Sequence, residues 1–152
     1  MAEKANKVAY DTDFFVWTQQ QAAALAAGNA AALDWANLAE EIESLGKRDR
    51  RALRSRLEVL VLHLLKWRYQ PERRQSGHSW SSTIRTQRRR IDQILEDSPS
   101  LRRQVSGWMA VDYPSVRLNA SDETGLSLET FPISCPWTAE QVLDETFWPD
   151  NA

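Results

Sequence analysis

Leu57-Glu58-Val59-Leu60-Val61-Leu62-His63-Leu64-Leu65 is the stretch on which the fold turns. At 3.6 residues per turn, Leu53, Leu57, Leu60, Leu64 and Trp67 form one stripe, and Val59, Val61, Leu62 and Leu65 fill the other faces. A helix that is apolar on every side belongs inside a protein, wrapped by other helices. Broken by Glu58 and His63, the run is far too short to cross a bilayer, which takes about 20 apolar residues. The segment is therefore predicted to be the central helix of a globular core.

Downstream, Pro71 and Gly77 bracket a turn, and a second helix is predicted from about Gly77 to Asp97 with Trp80, Ile84, Ile91, Ile94 and Leu95 facing inward. Ser98-Pro99 reads as a helix start, since proline at the first helical position loses no hydrogen bond. The helix it opens carries Leu101, Val105, Trp108 and Met109; Pro114 should end or kink it near Tyr113, with helical structure resuming to about Glu123. After Gly125, Phe131-Pro132 and Cys135-Pro136 read as extended chain. Thr138-Ala139-Glu140-Gln141 then has the capping-box pattern of a short final helix.

Upstream, Asp11 or Thr12 is expected to cap a first helix with Phe14, Trp17, Gln21 and Leu25 on one face, closed by Gly28 in the left-handed conformation. Asp34 is the expected cap of the next helix, where Trp35, Leu38, Ile42 and Leu45 recur at heptad spacing. Gly46 either ends that helix or sits within a longer one at a cost of about 1 kcal/mol relative to Ala. The result is an all-α chain: a bundle of about four main helices, an irregular C-terminal segment and a short final helix. Residues 1–9 are expected to be a disordered tail and residues 10–152 one helical domain.

Composition agrees with this reading. In 152 residues 42% are apolar, with five glycines and six prolines, a mix that favours helix over sheet. Cys135 is the only cysteine, so no internal disulfide can form; it is read as an apolar filler in a reducing compartment. Met1 to Tyr10 lacks the apolar stretch of a secretory signal, and the cytoplasm is the expected location.

The net charge of −2 conceals an asymmetry. Between Lys47 and Arg103 there are 16 basic and 6 acidic residues, an excess of +10; the remainder carries 3 basic and 15 acidic ones. Fourteen of the central cations are arginines, whose planar forks bind carboxylates or phosphates through paired hydrogen bonds. Either the acidic ends fold back onto this middle, or the middle meets an acidic partner, with nucleic acid one possibility that no base-reading motif supports.

Several strings, taken together, carry a resemblance. They are Leu38-Ala39-Glu40-Glu41-Ile42-Glu43-Ser44-Leu45, His63-Leu64-Leu65-Lys66-Trp67, Pro71-Glu72-Arg73-Arg74, Ser79-Trp80, Ser98-Pro99-Ser100-Leu101 and Glu123-Thr124-Gly125-Leu126, with Phe131-Pro132, Cys135-Pro136 and Phe147-Trp148-Pro149. From about Tyr10 to Pro149 the chain resembles the bacterial family catalogued as domain of unknown function 29. The resemblance implies a helical, cytosolic protein and implies no activity. Tyr113-Pro114 departs from the family pattern, in which the helix continues.

Polar residues in apolar surroundings are the candidates for a site. If the Pro71–Gly77 turn makes an antiparallel pair, His63 comes opposite Ile84, Trp67 opposite Trp80 and Leu60 opposite Gln87. Gln87 then sits near the centre of an apolar face, where an unsatisfied amide costs roughly 1–3 kcal/mol, and His63 is one turn away. This is either a core hydrogen bond fixing helix register or a pocket of His63, Lys66, Trp80, Gln87 and Arg88 for a small anion or metabolite. In a catalytic version His63 is the general acid or base, with Glu123 the candidate carboxylate.

Glu40 and Glu41 invite a metal reading, but the Glu-x-x-His spacing of di-iron bundles is absent. Were Gly46 a turn, ion pairs with Arg51 and Arg54 would account for them. No metal and no cofactor is expected. His78 reads as an exposed loop residue, and Trp148 as an anchor for the C-terminal tail. The leading functional expectation is a non-catalytic interaction module whose Arg-rich middle meets an acidic protein or a second copy of the chain, without a membrane. The alternatives are the His63–Gln87 ligand or enzyme site, and nucleic-acid binding through residues 47–103.

Overall fold

The computed structural model describes residues 9–75 and 79–150. All regular structure among them is helical, so the fold is all-α. The long helices are α1 (Phe14–Ala26), α2 (Trp35–Tyr69), α3 (Trp80–Asp97) and α4 (Val105–Thr124), followed by the short α5 (Ala139–Leu143). None of the described helices is long and apolar enough to cross a membrane. The chain divides into two compact units between Arg48 and Asp49. The tail expected over residues 1–9 lies, apart from Ala9, outside the described residues, as do Gly77 and His78 of the expected turn.

In the first unit, polar groups do much of the joining. The cap of α1 is Asp13, whose side chain accepts from the Val16 N–H at 3.0 Å. It lies beyond the expected Asp11 or Thr12 because residues 9–12 already form a helical turn, with Asp13 N–H donating to the Ala9 carbonyl at 2.8 Å. The buried face of α1 is Trp17, Gln21 and Ala24; Phe14 and Leu25, expected beside them, are half exposed. Gly28, at φ +66°, ends the helix as expected. Asn29 N–H reaches back to the Ala24 carbonyl and Gly28 N–H to that of Leu25, the paired closure of a Schellman motif.

The buried Asp34 carboxylate is satisfied by Trp17 Nε1–H at 3.1 Å and by Asn37 Nδ2–H at 2.7 Å, while its own N–H donates to Gln21 Oε1 at 2.8 Å. Gln21 Nε2–H completes the knot on the Ala32 carbonyl. Asp34 thus stands at the start of α2, where the sequence placed a cap, and its burial is offset by hydrogen bonds. Helix α2 runs through Gly46 without interruption. Trp35, Ile42 and Leu45, which the heptad spacing assigns to a core, are 65%, 67% and 53% exposed.

The second unit holds the large apolar core. Leu60, Leu64 and Leu65 of α2 are fully buried together with Ile84 and Ile91 of α3 and Val105 of α4. The inward stripe of α3 is Ile84, Arg88, Ile91 and Leu95; Trp80 and Ile94 are only partly buried. Pro99 opens a 3₁₀ turn (Pro99–Gln104) before α4 begins at Val105.

Pro114 does not end α4, which runs on to Thr124. It lies on the exposed face, as does Ala110, whose carbonyl loses its helical donor there and stays within reach of water. Gly125, at φ +73°, closes the helix. The irregular segment that follows is tied to α4 by Tyr113 Oη–H on the Pro132 carbonyl (2.7 Å) and by Arg117 on the carbonyls of Phe131 and Leu128 (3.0 Å each). Thr138 and Gln141 form the expected capping box at α5.

Candidate anion-binding site

The polar residues singled out on α2 and α3 do not all meet. His63 is half-buried, and its Nδ1 lies 2.8 Å from the Val59 carbonyl, so Nδ1 carries the proton and Nε2 the lone pair. Burial, above all, holds its pKa below the ordinary value, with Lys66 adding to the effect against the Val59 carbonyl and Glu123. Glu123 does arrive from the second half of the chain, and its carboxylate pairs with Lys66. Gln87 is not at the centre of a buried face: it is partly exposed and accepts from Arg56 Nη1 at 3.2 Å. Trp80 is partly buried, and the ring against Trp67 is Trp148, with centroids 4.7 Å apart.

One residue further along α3, Arg88 is 1% exposed. Its Nε–H donates to the Val142 carbonyl at 2.9 Å, while Nη1 and Nη2 are buried without a hydrogen-bond partner among the described residues. The sequence places it there by a 4–3–4 rhythm: Ile84, Arg88, Ile91 and Leu95 occupy one helical face, and the arginine takes a position that the pattern reserves for an apolar residue. Burial lowers its pKa, opposed by Asp144 and then Glu145, yet a guanidinium keeps its proton in any such setting.

Arg88 borders a cavity of about 420 Å³ together with Ser82, Arg85, Thr86, Arg89 and Glu145. The indole of Trp148 faces both Arg85 and Arg88, with the guanidinium carbons 5.5 and 5.6 Å from its ring. The C-terminal chain that carries Trp148 is held by Asp150, which accepts from Trp67 Nε1–H and from Arg74, each at 2.9 Å. The lining of that cavity is cationic, with three arginines and the hydroxyls of Ser82 and Thr86 against one carboxylate, Glu145.

Elsewhere the basic middle is partly matched by later acidic residues. Arg54 makes a two-pronged contact with Asp112, Lys66 pairs with Glu123 and Arg74 with Asp150. Since α2 is continuous, Glu40 and Glu41 are not turned back onto Arg51 and Arg54; Glu41 instead accepts from Tyr10 Oη–H at 2.6 Å. That bond, first, and then burial push the Tyr10 pKa up to about 12. Among the described residues no group of His, Cys, Asp and Glu is placed to hold a metal ion. Cys135 is half-buried, and burial raises its thiol pKa, which disfavours the reactive thiolate.

The model of the family described as Domain of unknown function DUF29 matches residues 9–148. No curated protein and no solved structure matches the chain.

Proposed function

We propose, for a chain that belongs to the DUF29 family, that it is a non-catalytic binding module and that Arg88 receives the oxyanion of its ligand. Family membership brings no activity with it, so the reading rests on the site. The observation that carries it is a guanidinium 1% exposed, with neither terminal nitrogen hydrogen-bonded among the described residues, on a residue that lines a cavity. Leaving a buried charge uncompensated costs several kcal/mol, and an oxyanion bridging Nη1 and Nη2 would relieve that cost. Arg85, Arg88 and Arg89 against Glu145 leave two positive charges in excess, which suits a phosphate monoester dianion better than a single carboxylate. The volume of about 420 Å³ falls within the range of small-molecule sites, roughly 300–1,000 Å³, so the ligand has a body besides its phosphate.

Thermal unfolding of the wild type and of Arg88→Met, with and without inorganic phosphate, tests this. Phosphate is expected to raise the wild-type Tm, by the equivalent of about 2.7 kcal/mol at a hundredfold excess over Kd. Arg88→Met should not respond to the anion; its stability without phosphate reads the balance between the buried charge removed and the Val142 carbonyl left without its donor. A wild type indifferent to phosphate, or a variant that responds equally, overturns the reading. Oligonucleotide binding that survives in Arg88→Met and weakens steeply with log salt would point to the surface arginines and nucleic acid.

A second reading is supported by the arrival of Glu123 at Lys66, beside His63: a ligand or catalytic site on that cluster, with neutral His63 as the base. Loss of the phosphate response in His63→Gln, with Arg88→Met unaffected, would favour it.

A further inference from the structure

We infer that α2 is the seam of a homodimer, in which two copies of the helix pack antiparallel across Trp35, Ile42 and Leu45. This does not depend on the anion site. Residues 42–51 are all exposed, and large apolar side chains stand out to solvent from the same helix. At 100° per residue, Trp35, Ala39, Ile42, Leu45 and Gly46 share an arc of about 120°, the width of a helix-packing face. Contiguous exposed apolar surface of this kind marks an interaction site.

Charge identifies the occupant and its direction. Residues 34–46 carry Asp34, Glu40, Glu41 and Glu43 and no cation; residues 47–56 carry Lys47, Arg48, Arg50, Arg51, Arg54 and Arg56 against Asp49. A helix so divided is complementary to itself when reversed. The rims of the arc repeat the pattern locally: Glu41 is followed seven residues later by Arg48 on one rim, and Glu43 by Arg50 on the other. In a parallel pair opposite rims face each other, setting Glu41 beside Glu43 and Arg48 beside Arg50. In an antiparallel pair like rims meet, and Glu41 of each copy faces Arg48 of the other. Tyr10 occupies only Oε1 of Glu41, and Arg48 is exposed, so this pair is free to form. On the other rim Glu43 already reaches Lys47 at 3.3 Å and Arg50 lies over Trp108, which makes that pair secondary.

Gly46 supplies an independent sign. A methyl group there would meet nothing within 4 Å, so packing within the chain gives no reason for glycine in mid-helix. In the antiparallel pair Ala39 and Gly46 lie on the same edge of the arc, one heptad apart, and each meets the other's counterpart. Small residues at that crossing let the two backbones approach.

Sedimentation of the full chain at roughly 100 µM, where weak interfaces are already populated, reads the association directly. The wild type should be dimeric, and Ile42→Glu with Leu45→Glu should be monomeric with unchanged helical circular dichroism. Glu41→Arg and Arg48→Glu, each alone, should weaken association by at least about tenfold, since like charges then face each other twice. An equimolar mixture of those two variants should regain it, because every rim pair is again opposite in sign. Since Glu41→Arg also deprives Tyr10 of its acceptor, Glu41→Gln serves as the control and should weaken association less. A wild type that stays monomeric, single variants that dimerise like the wild type, or a mixture that stays apart would each overturn the inference.

Discussion

Gln87 and Arg88 are neighbours in sequence and differ by about 100° in direction on α3, and that angle separates a surface amide from a buried charge. Apolar periodicity alone misplaces them. Counting Trp80 and Ile94 as inward rotates the face toward Gln87, whereas Ile84, Ile91 and Leu95 define the true face, and it includes Arg88. The rhythm was therefore legible, and the sequence already set Arg88 among the pocket residues, though beside Gln87 and not as the buried member of the face. His63 is better behaved: the sequence puts it beside the central stripe, and it is half-buried on α2. Its pKa is held down chiefly by burial, so the folded chain resists a proton that the unfolded chain takes near pH 6.5. The unfolded state then binds more protons, and stability falls as pH drops through about 6.5 toward the folded value, by at most about 1.4 kcal/mol per pH unit from this group. Denaturant midpoints at pH 7 and pH 5 should show a smaller loss for His63→Gln than for the wild type.

Helix α2 spans two environments. From Leu53 to Leu65 its buried side chains, Leu53, Leu57, Leu60, Val61, Leu64 and Leu65, form one broad face in the core, a stripe readable from period alone; Ser55 and Glu58 are exposed and Val59 and Leu62 partly buried, so the helix is not wrapped on every side as the apolar run implied. From Trp35 to Leu45 the heptad period was equally clear, yet period reports which side chains share a face and not what that face meets. Gly46 falls between the two stretches, in a helix whose cap and period give no stop signal, and the helix continues. Replacing it by alanine should raise the stability of the monomer by about 0.5–1 kcal/mol through propensity, because space for the methyl group is open. The same substitution should weaken self-association at the crossing. Chemical denaturation at low concentration and sedimentation at high concentration separate the two effects. Pro114 shows the converse: its local rule predicted an end or a kink, and exposure on both sides of the lost hydrogen bond lets the helix run on.

At the level of the whole molecule, apolar burial is unevenly shared. The main core cluster lies entirely beyond Asp49, whereas in the first unit Trp17 and Ala24 are buried beside a network of hydrogen bonds. Local stability follows buried contacts, so amide exchange should be slowest over Leu57–Leu65 and fast over residues 42–51 at low concentration. Raising the protein concentration should slow the latter selectively if the seam forms, and uniformly slow exchange across residues 42–51 in dilute solution would contradict their exposure. The division was not visible in the sequence, because α2 crosses it without any change of helical character.

The bond from Arg88 Nε to the Val142 carbonyl has a consequence for what this position tolerates. One nitrogen is committed to the fold, and the other two have no hydrogen-bond partner among the described residues. Lysine has only one nitrogen and must choose: hold the chain at Val142, or turn toward the cavity and leave that carbonyl bare. The exchange that keeps the charge is thus more disruptive here than its chemistry suggests.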